Sequence, residues 1–348
     1  MKVLVIGSGG REHAIVDALT RSPQVEKIYC APGNAGIARQ AECVDIRDTE
    51  VERLRDFARG EGIGLTVVGP EAALAAGIVD SFREAGLRIF GPTKAAARIE
   101  SSKEFAKDLM ARYGIPTAGY RAFTDYEAAR AYVAARPFPA VLKYDGLAAG
   151  KGVVIAQTME EADEALRQML LDDKFGEGKV VVEDFLEGPE FSLLCFVSGR
   201  RVWPMVLSQD HKRAYDGDKG PNTGGMGVYS PVPIVTDEEH ATMVDIMERA
   251  VAGLREEGID YRGVLYGGFM LTPQGPKLLE FNARFGDPET QVVLPRLETD
   301  LVDVMVATAQ RRLSEIELSW RPEWAVSVVL ASEGYPGDYA KGFEITGI

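Results

Sequence analysis

The sequence predicts an α/β protein in which an open parallel sheet comes first and smaller α+β modules follow. Three observations carry this. A chain of 348 residues is too long for one ordinary core, so two or three domains are expected. Up to about residue 90, short apolar runs alternate with amphipathic stretches, the βαβ grammar of a parallel sheet with helices on both faces. Past Gly114 the grammar changes, and strand-like runs come in pairs around Gly-rich turns.

Val3–Ile6, Lys27–Cys30, Leu65–Val68 and Arg88–Phe90 read as buried parallel strands, with helices at 11–22, 50–59 and 74–85 between them. Residues 94–113 read as one longer helix, stopped by Gly114-Ile115-Pro116. Ala140–Lys143 and Val153–Ala156 are strands joined by a Gly-rich loop. A helix at 159–171 and a strand at Lys179–Glu183 complete a small α+β module suited to act as a lid. Strands at 191–197 and 202–207 follow, then the polar segment Asp210–Gly227, which shows neither helical nor strand period, and a helix at 237–256. Gly263–Thr272 and Pro276–Phe281 are antiparallel around Pro273-Gln274-Gly275. A helix at 298–312 and a strand at 325–331 come last, and Gly342–Ile348 reads as an interrupted strand.

Hydrophobic residues at 46% and charged residues at 26% are those of a soluble globular protein. A net charge of −14 repels nucleic-acid backbones, although a pocket on such a protein can still be locally basic for a small anion. Cys30, Cys43 and Cys195 form no CxxC pair, which argues against a disulfide framework or a thiolate zinc site and fits a reducing cytoplasm. The chain begins with a strand and holds no apolar run of about 18 residues, so neither a signal peptide nor a membrane span is expected.

Five segments carry chemistry. Asp210–Gly227 packs charged side chains and glycines into a long segment of the kind kept for binding. Gly7-Ser8-Gly9-Gly10-Arg11-Glu12-His13 follows the first strand and opens the first helix, where backbone N–H groups can approach a phosphate. A dinucleotide fingerprint fails there, since Glu12 replaces its third glycine and no acidic residue ends the second strand. A monophosphate on Gly9, Gly10 and Arg11 fits better. Lys143–Gly152 is one residue short of a P-loop, has Gly152 in place of Ser or Thr, and joins two strands, so Walker A is rejected. A Gly loop folding over ATP phosphates, with Lys143 beneath them, remains. Glu183–Glu190 can offer backbone groups to adenine and the Glu190 carboxylate to a ribose. In Glu280–Glu289, strand alternation puts Glu280, Asn282 and Arg284 on one face and Leu279 and Phe281 on the other. A carboxylate and an amide oxygen are hard ligands for Mg²⁺ (or Mn²⁺) carrying a nucleotide, and Arg284 can neutralise a transferring phosphoryl group. His13, His211 and His240 lack metal-ligand spacing, and no Ser/His/Asp or Cys/His set supports a hydrolase.

In this order these pieces resemble the ATP-grasp ligases, and the chain is similar to the glycinamide ribonucleotide synthetases. The resemblance rests on GSGGREHA (7–14), APGNAG (31–36), VGPE (68–71), IFGP (89–92), LKYDGLAAGKGV (142–153), the 210–227 segment, EFNARFGDPETQ (280–291) and LPRLETDL (294–301). It implies a Rossmann-like phosphoribosylamine-binding domain over 1–102, a linker and the start of the ATP-grasp fold over 103–120, and an ATP lid over 121–190. A catalytic subdomain over 191–320 and the start of an incomplete C-terminal domain over 321–348 follow, the missing strands leaving an exposed edge. It implies ATP and Mg²⁺ or Mn²⁺ as cofactors, and glycine and 5-phosphoribosylamine as substrates, joined through an acyl phosphate by a monomer or weak dimer. Carried onto this sequence, Lys103, Lys143, Gly150, Lys151 and Gly152 hold ATP phosphates. Glu183, Asp184, Phe185 and Leu186 frame adenine, Glu190 takes the ribose, and Glu280 and Asn282 bind metal. Gly9, Gly10, Arg11, Asn34 and Glu71 meet the phosphorylated amine. Asp210, Lys212, Arg284 and Asp287 face glycine and its acyl phosphate, with Arg284, Asp210 and Lys143 catalytic. A sister ATP-grasp carboxylase should lack the 210–227 segment. A nicotinamide dehydrogenase lacks its ribose acid here, and a non-catalytic module has no use for Lys143, Glu280, Asn282 and Arg284.

Overall fold

The computed structural model describes residues 1–146, 152–172, 178–217 and 219–347. The N-terminal unit runs β1 (Lys2–Gly7), α1 (Gly10–Thr20), β2 (Lys27–Pro32), β3 (Glu42–Cys43), α2 (Val51–Glu61), β4 (Leu65–Val68), α3 (Glu71–Ala75), α4 (Ile78–Glu84), β5 (Ile89–Phe90) and α5 (Lys94–Ser101). Its sheet has the order β3-β2-β1-β4-β5 and every pairing is parallel, as the alternating runs imply. Leu4 and Ile6 pack on one face of β1, Val3 and Val5 on the other, because both faces are covered by helices. Cys30 and Cys43, distant in sequence, are register partners between β2 and β3.

The single helix expected over 94–113 is two. Ser102 breaks it, with φ −131° and ψ 111°, ending α5 and capping α6 (Lys103–Arg112) through a bond from the Phe105 N–H at 3.2 Å. Serine competes for backbone donors at such a position. Lys103 is therefore the first residue of a helix and not an interior one.

The next unit is β6 (Tyr120–Phe123), α7 (Tyr126–Ala134), β7 (Ala140–Tyr144), β8 (Val153–Ala156), α8 (Met159–Leu170) and β9 (Val180–Asp184). Its antiparallel sheet, in the order β6-β9-β7-β8, packs with α7 and α8 around its own core of Val133, Leu142, Leu166 and Val182.

The third unit holds β10 (Glu190–Ser198), β11 (Arg201–Pro204), β12 (Gln209–Tyr215), β13 (Lys219–Ser230), α9 (Asp237–Glu256), β14 (Arg262–Thr272), β15 (Gly275–Asn282), α10 (Thr290–Val293), α11 (Leu301–Ala309) and β16 (Ala325–Val328). Strands β11-β10-β14-β15 form one antiparallel sheet and β12-β13-β16 another. Residues 210–227 are thus not an irregular loop but most of a hairpin. Its register shifts around His211, Arg213 and Tyr215 and its glycines erase the side-chain alternation by which strands are read.

A bulge in β15 corrects the expected alternation. Gly268 pairs with Glu280 and Phe269 with Leu278, so Leu279 is the extra residue. Leu278 and Phe281 enter the core, while Leu279 joins Glu280 and Asn282 at the cavity wall described below. At the edge of its sheet β16 exposes Val326 and Val328, each at 71%. Among the described residues no helix is long and apolar enough to cross a membrane.

Candidate active site

A cavity of about 360 Å³ lies where α5, α6, β7, β9, the β12–β13 hairpin and β15 converge. It gathers Lys103, Lys143, Gly152, Glu183, Asp184, Phe185, Leu186, Glu190, Glu71, Asp210, Lys212, Glu280, Asn282, Arg284 and Asp287, residues drawn from all three units. Gly150 and Lys151 lie outside the described residues. Gly9, Gly10, Arg11 and Asn34 do not line this cavity; Gly9, Gly10 and Arg11 stand behind Asp287, and Arg11 reaches Glu71 as well.

Between β7 and β15, Lys143 is buried and paired. Its Nζ lies 3.0 Å from Glu183 Oε1 and donates to the Leu279 carbonyl at 3.3 Å. The other Glu183 oxygen meets Lys107 Nζ at 2.7 Å. Glu183 therefore turns its carboxylate to two lysines, leaving only its backbone for an adenine. Burial pushes the Lys107 ammonium down to about 8 against the attraction of Glu183, and Lys143 nearby adds to the fall. Asp184 pairs with Arg136, and Glu190 with Lys212 at 2.9 Å. Lys103 donates its backbone N–H to Asp145 Oδ1 at 2.5 Å and its Nζ to the Gly146 carbonyl at 3.3 Å, which ties α6 to the start of the Gly loop.

The far wall is β15. Burial would raise the Glu280 carboxyl, but Lys212, Lys143 and Lys103 around it outweigh that and hold it below its ordinary value. The Asn282 amide nitrogen faces Glu100 Oε1 at 3.0 Å and the Phe281 carbonyl at 3.2 Å, an assignment made from its neighbours. An ionised carboxylate beside an oriented amide is a donor set that fits Mg²⁺ or Mn²⁺ shared with nucleotide oxygens. Arg284 Nη2 lies 3.1 Å from Glu100 and its Nε 3.5 Å from Glu71, and these carboxylates raise the guanidinium despite its burial.

Behind that wall, the first helix is closed on itself. Glu12 accepts from the Gly9 N–H at 2.7 Å and from Arg11 Nε at 2.6 Å. Gly7, at φ +122°, and Gly69 are needed here because a Cβ would fall 2.6 Å and 2.0 Å from the Glu12 side chain. The Arg11 N–H points to Asp287 Oδ2 at 3.4 Å, and Asn34 ties the two glycine turns by donating to the Ser8 carbonyl at 2.8 Å.

Residues 1–100 match the N domain and residues 101–290 the ATP-grasp (A) domain of phosphoribosylglycinamide synthetase. The chain belongs to the phosphoribosylglycinamide synthetase family. It is 54% identical over 351 residues to a phosphoribosylamine–glycine ligase of Halalkalibacterium halodurans, covering 100% of this chain and 82% of that one. A solved phosphoribosylamine–glycine ligase from Thermotoga maritima superposes with a TM-score of 0.84 at 35% identity, covering 98% of this chain and 83% of that one. An N5-carboxyaminoimidazole ribonucleotide synthetase from Thermus thermophilus shares the fold, with a TM-score of 0.66 at 20% identity over 94% of this chain and 82% of that one.

Within this phosphoribosylglycinamide synthetase fold, sequence reasoning missed Glu100, Lys107, Tyr266 and Glu289, all of which line the cavity. Glu100 accepts the Ala283 N–H at 2.6 Å and so anchors the end of β15 as well as Arg284. Lys107 and Glu100 sit in amphipathic helices, where a charge reads as solvated surface. Glu289 was in view, in a run of acidic and polar residues, but nothing local marks it as buried.

Proposed function

We propose that this ligase joins glycine to 5-phosphoribosylamine with ATP, through glycyl phosphate, giving glycinamide ribonucleotide, ADP and phosphate. The observation that carries the reading is one cavity that unites Lys143, Glu280, Asn282 and Arg284 with the 210–227 hairpin. The 54% and 35% identities to phosphoribosylamine–glycine ligases support it. The 20% likeness to a carboxyaminoimidazole enzyme supports the fold alone.

A carboxylate is a poor electrophile, and phosphorylation gives it a leaving group. The protein then has to align groups and neutralise charge. Lys143, Lys103 and the Gly-loop residues Gly150, Lys151 and Gly152 hold the ATP phosphates. The backbone of Glu183–Leu186 frames adenine, and Glu190 takes the ribose. Glu280 and Asn282 would hold Mg²⁺ or Mn²⁺, which would neutralise charge on the phosphates. Arg284, fixed by Glu71 and Glu100, faces the acyl phosphate, with Asp210, Lys212 and Asp287 around glycine. The N-terminal unit, through Gly9, Gly10, Arg11, Asn34 and Glu71, presents the phosphorylated amine from behind Asp287. Soluble small molecules are the only partners this chemistry needs.

The test is phosphate release from MgATP with glycine and freshly generated phosphoribosylamine, omitting one component at a time. Release that needs every component supports the ligase; equal release without the amine or without glycine overturns it.

A further inference from the structure

Glu289 is 3% exposed and Asp210 7%, and both line the cavity. Asp210 Oδ2 is buried with no hydrogen-bond partner. Glu289 Oε1 accepts from Ser192 Oγ at 2.9 Å, and Ser192 lies 3.0 Å from the Tyr266 hydroxyl. Gly225, at φ +131°, lies over Asp210: a Cβ there would sit 2.4 Å from Pro288 Cδ and 3.8 Å from Asp210 Oδ2. Burial, and then the Asp210 charge, pushes the Glu289 carboxyl up to about 7. Lys212 from β12 attracts Asp210 more strongly than Glu190, its ion-pair partner at 2.9 Å, so that one cation is shared between two acids, and Arg284 beyond the end of β15 is held by Glu71 and Glu100. Two buried acids with one orphaned oxygen call for a cation. The amino-acid substrate of the ligase reading carries such a cation, an organic ammonium.

We propose that Asp210 and Glu289 form an ammonium subsite that seats the α-ammonium of the amino-acid substrate, with Ser192 and Tyr266 fixing Glu289. This rests on the ligase reading above. It gives the amino acid a fixed direction: its ammonium sits at the acid pair and its carboxylate faces Arg284 and the nucleotide. It also keeps the bound amino group protonated, so it is not a nucleophile in the site and the amine from the N-terminal unit attacks the acyl phosphate, with phosphate leaving.

Initial rates at saturating MgATP and phosphoribosylamine are measured with varied glycine, and with glycolate, which carries a hydroxyl in place of the ammonium. In E289Q and D210N the glycine KM is expected to rise about tenfold or more, since a buried charge loses its partner. The ATP KM should stay within about twofold, and the preference for glycine over glycolate should shrink. An unchanged glycine KM in both variants overturns the subsite, as does a parallel rise in the ATP KM. A second readout needs no turnover: methylammonium chloride should raise the Tm of the wild type above that in equal NaCl, and not that of the double variant. A wild type that releases no phosphate strikes the ligase reading alone, because the methylammonium shift still decides the subsite; equal shifts in both proteins overturn it.

Discussion

Glu183 holds together the positive charge beside β7 and β9, since one buried carboxylate spans Lys107 and Lys143. Removing one partner of such a set leaves uncompensated charge in a dry site, at a cost of about 3–5 kcal/mol. Glu183→Gln should therefore lower urea-unfolding stability by about that amount and weaken ATP binding; a loss below about 1 kcal/mol would show that water reaches the lysines. Glu280→Ala acts differently. It should reduce turnover by about a hundredfold or more while leaving the affinity for phosphoribosylamine nearly intact, because only the phosphoryl step needs that carboxylate. Near-normal turnover with Mg²⁺ would sink the metal assignment. Glu289 supplies a pH dependence. Its folded value of about 7 lies above the ordinary 4.5, so the folded chain keeps a proton that the unfolded chain has released. Its contribution then falls as pH rises from about 4.5 to about 7, the reverse of an ion-paired carboxylate. E289Q should flatten the pH–Tm curve of the ligand-free protein over that window, and a curve identical to the wild type would contradict the burial argument.

At the level of elements, legibility followed the source of each signal. The helix α9 was read with its observed ends because Thr236 and Glu239 cap it reciprocally, at 3.2 and 2.8 Å, and that pattern is local. Lys143, Glu280, Asn282 and Arg284 stood out because polar groups interrupt apolar strands. The 210–227 hairpin did not read as strands, since a ladder of backbone bonds forms it while its side chains are polar. Nor could the β15 bulge be seen, as it depends on a partner strand; the sequence argument for Glu280 and Asn282 survived it, and the one for Leu279 did not. Glu100 and Glu289 act on residues distant in sequence or buried by other elements, and no window of sequence holds both sides. The edge strand β16 shows the opposite case, a local feature with an exposed consequence. Val326 and Val328 are each 71% exposed and Leu330 94%, an apolar alternation beside unpaired backbone. Such edges template association unless charged. Val328→Lys should lower light scattering on mild heating without changing phosphate release, and unchanged scattering would mean that this edge is not the route to association.

For the whole molecule, the net charge of −14 is not reversed at the cavity. Among the described lining residues five cationic side chains face nine carboxylates, so the locally basic pocket that the sequence left open is not what forms. Most of those cations are already paired with acids of the protein, at Glu183, Glu190, Glu71 and Glu100. A triphosphate entering there adds more negative charge to an acidic, poorly hydrated site, and must bring cations with it. Chelating the divalent ion should therefore weaken ATP binding on the order of tenfold or more, read by calorimetry. The β6–β9 unit joins this balance to motion. Its core is separate from the two larger ones, which makes it the unit most able to open on its own. Amides of β7 and β8 should then exchange with deuterium faster than those of β1 and β4 in the free protein. MgATP should slow them, because Lys143 on β7 gains a phosphate partner, whereas ATP with a chelator should leave them near the free rate. Equal protection in both would show that the lysines alone carry the nucleotide, and the cation requirement at the cavity would have to be abandoned.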